Sequence, residues 1–172
     1  MTSSSPTNVP GYFNLYIKQV PETDVLMAFN NQLPIIENIL LTITEATSTF
    51  AYAAGKWTLK EMLQHIIDTE RILSYRALCF ARGENANLPG FEEDDYAKNS
   101  NANNRTWQSL SEEFLTSRKS IQLLFKSFPT TAFAATGTAN NNTVSVNELG
   151  FIIVGHFYHH HHVMQTKYLA LD

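Results

Sequence analysis

The chain has a single cysteine, Cys79, so no disulfide can form within it and a small stapled scaffold is excluded. Cysteine usage of this kind suits a reducing compartment, and a cytoplasmic protein is expected. Leu78 and Phe80 flank the thiol, which reads as a small buried residue rather than a reactive one. Charge is scarce too. Only 16% of the 172 residues are charged, 12 basic against 16 acidic, for a net charge of −4. No Lys/Arg cluster appears, so a nucleic-acid backbone is not an expected partner. Long apolar runs are also missing. The longest uncharged apolar stretch, Leu149 to Phe157, is shorter than the ~20 residues that span a bilayer and runs into histidines, so no membrane partner is expected. Residues 1–11 are rich in Ser, Thr, Pro and Asn and lack a basic stretch followed by an apolar one. They read as a flexible lead-in and not as a signal peptide.

What is present is enough apolar side chain for a core. A hydrophobic share of 44% supports one domain, residues 12–172, and argues against disorder. Helix starts are written clearly. Thr58-Leu-Lys-Glu61 is a capping box with Trp57 and Met62 as its hydrophobic staple, and Ser145-Val-Asn-Glu148 repeats the device with Val144 and Leu149. From the first box, Leu59, Met62, Leu63, Ile66, Leu73, Ala77 and Phe80 recur at helical spacing, and Gly83 is a plausible stop. From the second, Leu149, Ile152, Ile153, Val163 and Met164 continue nearly to the C-terminus.

A third helix is expected from Trp107 to Phe128, closed by Pro129, and a first one between Thr23 and Thr44. Pro34 lies inside the latter and should kink or split it. A short helical turn is expected within Tyr12 to Val20. Two long polar connections, Gly83 to Arg105 with the acidic run Glu92-Glu-Asp-Asp95, and Thr130 to Thr143, join the helices. Neither shows β-alternation of useful length. Four amphipathic helices in one small domain bury their stripes best on each other, so the expected fold is an all-α, antiparallel four-helix bundle with long crossover loops.

Five of the six histidines lie in Gly155-His-Phe-Tyr-His-His-His-His162, inside a helix that continues beyond them, which is not how an expression tag is placed. At roughly 100° per residue, His156 and His160 fall about 40° apart in the middle of the apolar stripe. His159 sits on its shoulder, and His161 and His162 point to solvent. Imidazoles at i and i+4 lean the same way and can chelate one ion; a pair of core histidines satisfied by neighbouring side chains is the alternative. His65 lies about 90° from the centre of its own stripe. That is a flank position compatible with a partly exposed structural histidine or with a ligand facing a helix cleft.

The order of motifs adds a resemblance. Gly55-Lys-Trp-Thr-Leu-Lys-Glu61 is followed by His65 in Gln64-His-Ile-Ile-Asp-Thr-Glu-Arg71, then by Tyr75-Arg-Ala77, Leu88-Pro-Gly-Phe91, Thr136-Gly-Thr-Ala-Asn140 and Gly155-His-x-x-His-His160. This series resembles the DinB superfamily over about Tyr12 to Leu169. The resemblance implies a four-helix bundle, often a homodimer, with a three-histidine metal site whose ligands by motif position are His65, His156 and His160. His159 matches a histidine that commonly stands beside the ligand pair and is not assigned to the metal. Relatives often carry Glu after the first histidine of the last motif, whereas this chain has Phe157, so a His-Glu-x-x-His reading with a Glu base fails.

Three imidazoles with open positions suit a catalytic site rather than a closed structural one. The cofactor expected is one divalent transition metal, zinc or nickel first and iron or copper next. Glu61 and Asp68, a turn on either side of His65, are candidates to accept from its second nitrogen, or else belong to a solvated face. Three functional readings follow. One, implied by the resemblance to a family with a thiol-transferase branch, is transfer of a low-molecular-weight thiol to an electrophilic small molecule, with Arg71, Arg76 and Arg105 as candidates to read the thiol's charged groups. Another is metal-dependent hydrolysis of a small substrate, with a base from Glu92, Glu93, Asp94 or Asp95 if that loop folds over the site. The third is a non-enzymatic, stress-associated metal-binding scaffold.

Overall fold

Each long helix begins at a short polar side chain that accepts the backbone N–H three residues on: Asp24, Thr58, Thr106 and Ser145. At Thr58 and Ser145 the reciprocal bond is also made, Glu61 and Glu148 each accepting from the cap backbone, so both capping boxes of the sequence exist. The computed structural model describes residues 11–169. The flexible segment expected for residues 1–11 lies outside them except for Gly11, as do residues 170–172.

The helices are α1 (Gly11–Ile17), α2 (Val25–Thr42), α3 (Glu45–Ser48), α4 (Leu59–Ala81), α5 (Glu93–Asn99), α6 (Trp107–Lys126) and α7 (Val146–Val163), the last continued by a wide turn at Met164–Tyr168. The helical turn expected near Tyr12 is α1. Between α6 and α7 stands a two-stranded antiparallel hairpin, β1 (Thr136–Ala139) with β2 (Asn142–Ser145). The polar connection read as loop is therefore partly strand. Its turn residues Asn140 and Asn141 both take positive φ, 48° and 62°, the conformation a tight two-residue hairpin requires and Asn tolerates. The acidic run is likewise no open loop: Glu93, Asp94 and Asp95 form the first turn of α5, where negative charge suits the helix dipole.

Pro34 does not split α2, which runs unbroken from Val25 to Thr42. The carbonyl that a proline there leaves without its N–H belongs to Asn30, an exposed position where water satisfies it.

The four long helices form the expected bundle. Helix α4 packs on α6 and α7, and α2 packs on the same two from the other side. Gln64 reaches Arg105 and Arg71 reaches Glu113, so α4 and α6 run the same way, whereas His65 meets residues at the far end of α7, which runs opposite. The long crossovers make this mixture of directions feasible. The apolar interior divides into two clusters, one around Phe29, Phe80, Phe125 and Ile152, the other around Ile36, Leu63, Phe114 and Phe157. Among the described residues no helix is long and apolar enough to cross a membrane.

Candidate metal centre

Because α4 is covered by both α6 and α7, its buried arc is wider than one apolar stripe, and His65 on the flank of that stripe is only 3% exposed. His156 and His160, one turn apart on α7, are 3% and 9% exposed. The Nε2 atom of His156 stands 3.0 Å from that of His65 and 3.0 Å from that of His160. One ligand-capable nitrogen from each of the three rings lies within 4.8 Å of the others. Nitrogen donors at about 2.0–2.1 Å from a common zinc ion stand roughly 3–4 Å apart, so these three rings fit one cation.

Burial sets their protonation. It is the main cause that pushes His65 down to about 4, with the charge of His159 adding to it. Burial first, then His160, His65, His159 and Arg118, holds His156 well below the ordinary histidine value; burial, His65 and His159 do the same for His160. At neutral pH all three offer lone pairs rather than charges, which is the state a metal needs.

Aromatic walls fix the rings. Trp57 packs on His65 with centroids 4.7 Å apart, and the Trp57 carbonyl accepts from the Tyr168 hydroxyl at 2.6 Å. Tyr16 of α1 meets His156 edge-on at 5.3 Å and His159 at 5.5 Å. A methyl group on Gly155 would stand 2.0 Å from the Tyr16 carbonyl oxygen, so only glycine lets α1 seat here. His159 is half-buried beside the pair, as its shoulder position suggested, and His162 is exposed. His161 is not solvated as expected: it is half-buried and stacks on Phe157, rings 5.7 Å apart and 17° from parallel.

The other sequence candidates separate. Glu61 is committed to the helix cap, accepting from Thr58 N at 2.8 Å, and Asp68 accepts from Gln64 Nε2 at 2.9 Å; neither hydrogen-bonds His65. Arg71 donates to Glu113 at 2.6 Å, and Arg105 pairs with the same carboxylate and donates to Gln64 at 2.8 Å, so both serve the α4–α6 seam. Arg76 lines a cavity that His156 also lines, together with Glu93 of the acidic run. Glu92, Asp94 and Asp95 do not line it.

Sequence reasoning passed over a buried polar network beside the site. Arg118 and Glu70 are both 0% exposed and paired through two hydrogen bonds, Nε to Oε2 at 3.1 Å and Nη2 to Oε1. Arg118 also donates to Gln32, whose amide donates to the Val154 carbonyl of α7 at 2.8 Å. Phe29, Phe114 and Phe157 surround its guanidinium at 5.5–5.7 Å. Phe157, standing where relatives often carry Glu, is thus a core residue at 1% exposure that meets Arg118 on one side and His161 on the other.

Comparisons with known proteins agree with this picture. The family model described as DinB superfamily matches residues 30–164. No curated protein sequence matches the chain. Among solved structures, YfiT from Bacillus subtilis, described as "a probable metal-dependent hydrolase with an unusual four-helix bundle topology", is similar in fold: TM-score 0.68 at 12% identity, covering 93% of this chain and 87% of that one.

Proposed function

The chain belongs to the DinB superfamily, and from that premise we propose that it is a metal-dependent enzyme acting on small molecules, with one divalent transition-metal ion held by His65, His156 and His160 and a low-molecular-weight thiol as its nucleophile. The observation that carries the metal centre is the convergence of three buried, uncharged imidazoles from two helices. Bound there, such an ion supplies Lewis acidity that lowers the pKa of a coordinated thiol or water into the neutral range. The chain's own residues supply position. Trp57 and Tyr16 hold two of the rings from outside. Zinc or nickel suits the nitrogen donors best.

Hydrolysis is the second reading, favoured by two observations. YfiT, similar in fold, is described as a probable metal-dependent hydrolase. Glu93 shares a cavity with His156, and burial, then the neighbouring Asp94 and Glu92, raises its pKa. Zinc-loaded protein assayed with cysteine or glutathione and a chloronitrobenzene electrophile, alongside an ester, separates the two. Thiol-dependent conjugate that falls at least 100-fold in His156→Ala supports transfer. Product that depends on water alone replaces transfer by hydrolysis, and turnover of neither substrate leaves a metal-binding scaffold.

A further inference from the structure

Beside the histidine trio lies a partly enclosed cavity of about 80 Å³, walled by α1, α4, α7, the hairpin, the segment before α5 and the first residue of α5. His156 is the one member of the trio in its wall. The roof is tied down: Leu88 N donates to the Thr138 carbonyl and Asn140 N to the Leu88 carbonyl, both at 2.9 Å, and a methyl on Gly90 would stand 2.7 Å from the Asn140 side chain.

Three polar groups of this wall are buried, and two of them have no hydrogen-bond partner. His156 Nδ1 and Thr69 Oγ1 are buried with no hydrogen-bond partner. Arg76, 5% exposed, donates through Nη2 to the Pro89 carbonyl at 2.7 Å, and no described carboxylate stands within ion-pair distance of it. A guanidinium does not deprotonate to escape burial, so an unpaired one asks for an anion. The Nε2 of His156 is turned to the other two imidazoles and its Nδ1 faces no partner, so in the Nδ1–H tautomer it is a donor for whatever fills the cavity. Thr69 is a third donor. Three donors round a small space, one of them cationic, make an anion pocket.

Glu93, whose side chain also lines the cavity, narrows the choice. Its negative charge opposes a dianion such as phosphate, and the volume admits an anion of few heavy atoms. We propose that this cavity binds a small monocarboxylate, which accepts from Arg76, Thr69 and the Nδ1–H of His156 and thereby strengthens His156 as a metal ligand. An acceptor on the second nitrogen fixes a ligating imidazole's tautomer and raises its basicity. The coupling to metal rests on the metal site proposed above; the carboxylate site itself does not.

Two measurements on the full chain keep these separate. In metal-free protein, saturation-transfer NMR with ¹³C-acetate detects the pocket directly. Acetate binding that formate displaces, that phosphate does not, and that Arg76→Gln and Thr69→Val each weaken at least fivefold is expected; no saturation transfer to acetate overturns the site, whatever the metal does. Circular dichroism confirms that each variant is folded, and Arg76→Lys, which keeps the charge, should retain part of the binding. In calorimetric zinc titrations at matched ionic strength, saturating acetate should raise zinc affinity about tenfold, and by reciprocity zinc should raise acetate affinity by the same factor. An acetate effect that survives in Arg76→Gln would mean acetate joins the metal itself, and zinc affinity indifferent to acetate would mean there is no coupling; either overturns the linkage. Failure of any zinc to bind would instead remove the proposed function and leave the NMR result to decide the pocket.

Discussion

At the scale of the residue, burial does more than any single bond to define this site. His65 held at about 4 in the fold, against roughly 6.5 when unfolded, means that the unfolded chain binds the proton more readily between those values. Stability from such a group is intact above about pH 6.5 and is lost as pH falls toward 4; for His65 this amounts to about 3 kcal/mol. The metal-free protein should therefore lose thermal stability across that window, and His65→Gln, which cannot titrate, should flatten the decline. Melting curves at several pH values check this; equal slopes for both proteins would show that His65 is not held neutral. The trio could be read in the sequence only in part. His156 and His160 announced themselves by spacing, whereas His65 became a ligand candidate through motif order, because a helical wheel cannot tell that α4 is covered on two sides. Glu70, Arg118 and Gln32 left a trace that went unused. Each falls inside an apolar stripe, Arg118 between Phe114 and Ile121, Glu70 between Ile66 and Leu73, Gln32 between Phe29 and Ile36. Opposite charges at core positions of neighbouring helices can satisfy one another there.

Among the elements, α1 matters most to the site and is the least secured by its own sequence. It has seven residues, none fully buried, and is held chiefly by its contact with α7 over Gly155. Gly155→Ala puts a methyl where the Tyr16 carbonyl lies, so α1 should lift and take the Tyr16 ring from His156 and His159. Overpacking of this kind costs about 1–3 kcal/mol. A fall of several degrees in melting temperature, with faster amide exchange confined to residues 11–17, is the expected result. Unchanged exchange there would show that α1 is seated by something else. The four long helices were legible because apolar periodicity held over many turns, joined at Thr58 and Ser145 by capping boxes. The hairpin was not, since strands of four residues are too short for an alternation to register, although Asn140-Asn141 was a usable turn signal. Three acids in a row opening α5 suit a helix N-terminus as well as a loop, and their spacing alone does not separate the two.

For the whole molecule, the bundle brings one end of α7 against the start of α4, and that single juxtaposition creates the site. The two histidine-bearing helices are not consecutive in the chain, and the crossover through α5, α6 and the hairpin is what lets α7 return beside α4 in the opposite direction. The same crossovers roof the cavity behind His156. Metal content tests this arrangement most directly. Purified protein loaded with zinc and dialysed should carry about one ion per chain by elemental analysis, while His65→Ala and His160→Ala, each still helical by circular dichroism, should carry almost none. Stoichiometric zinc retained in either variant, or none in the wild-type chain, would contradict a cation shared between α4 and α7.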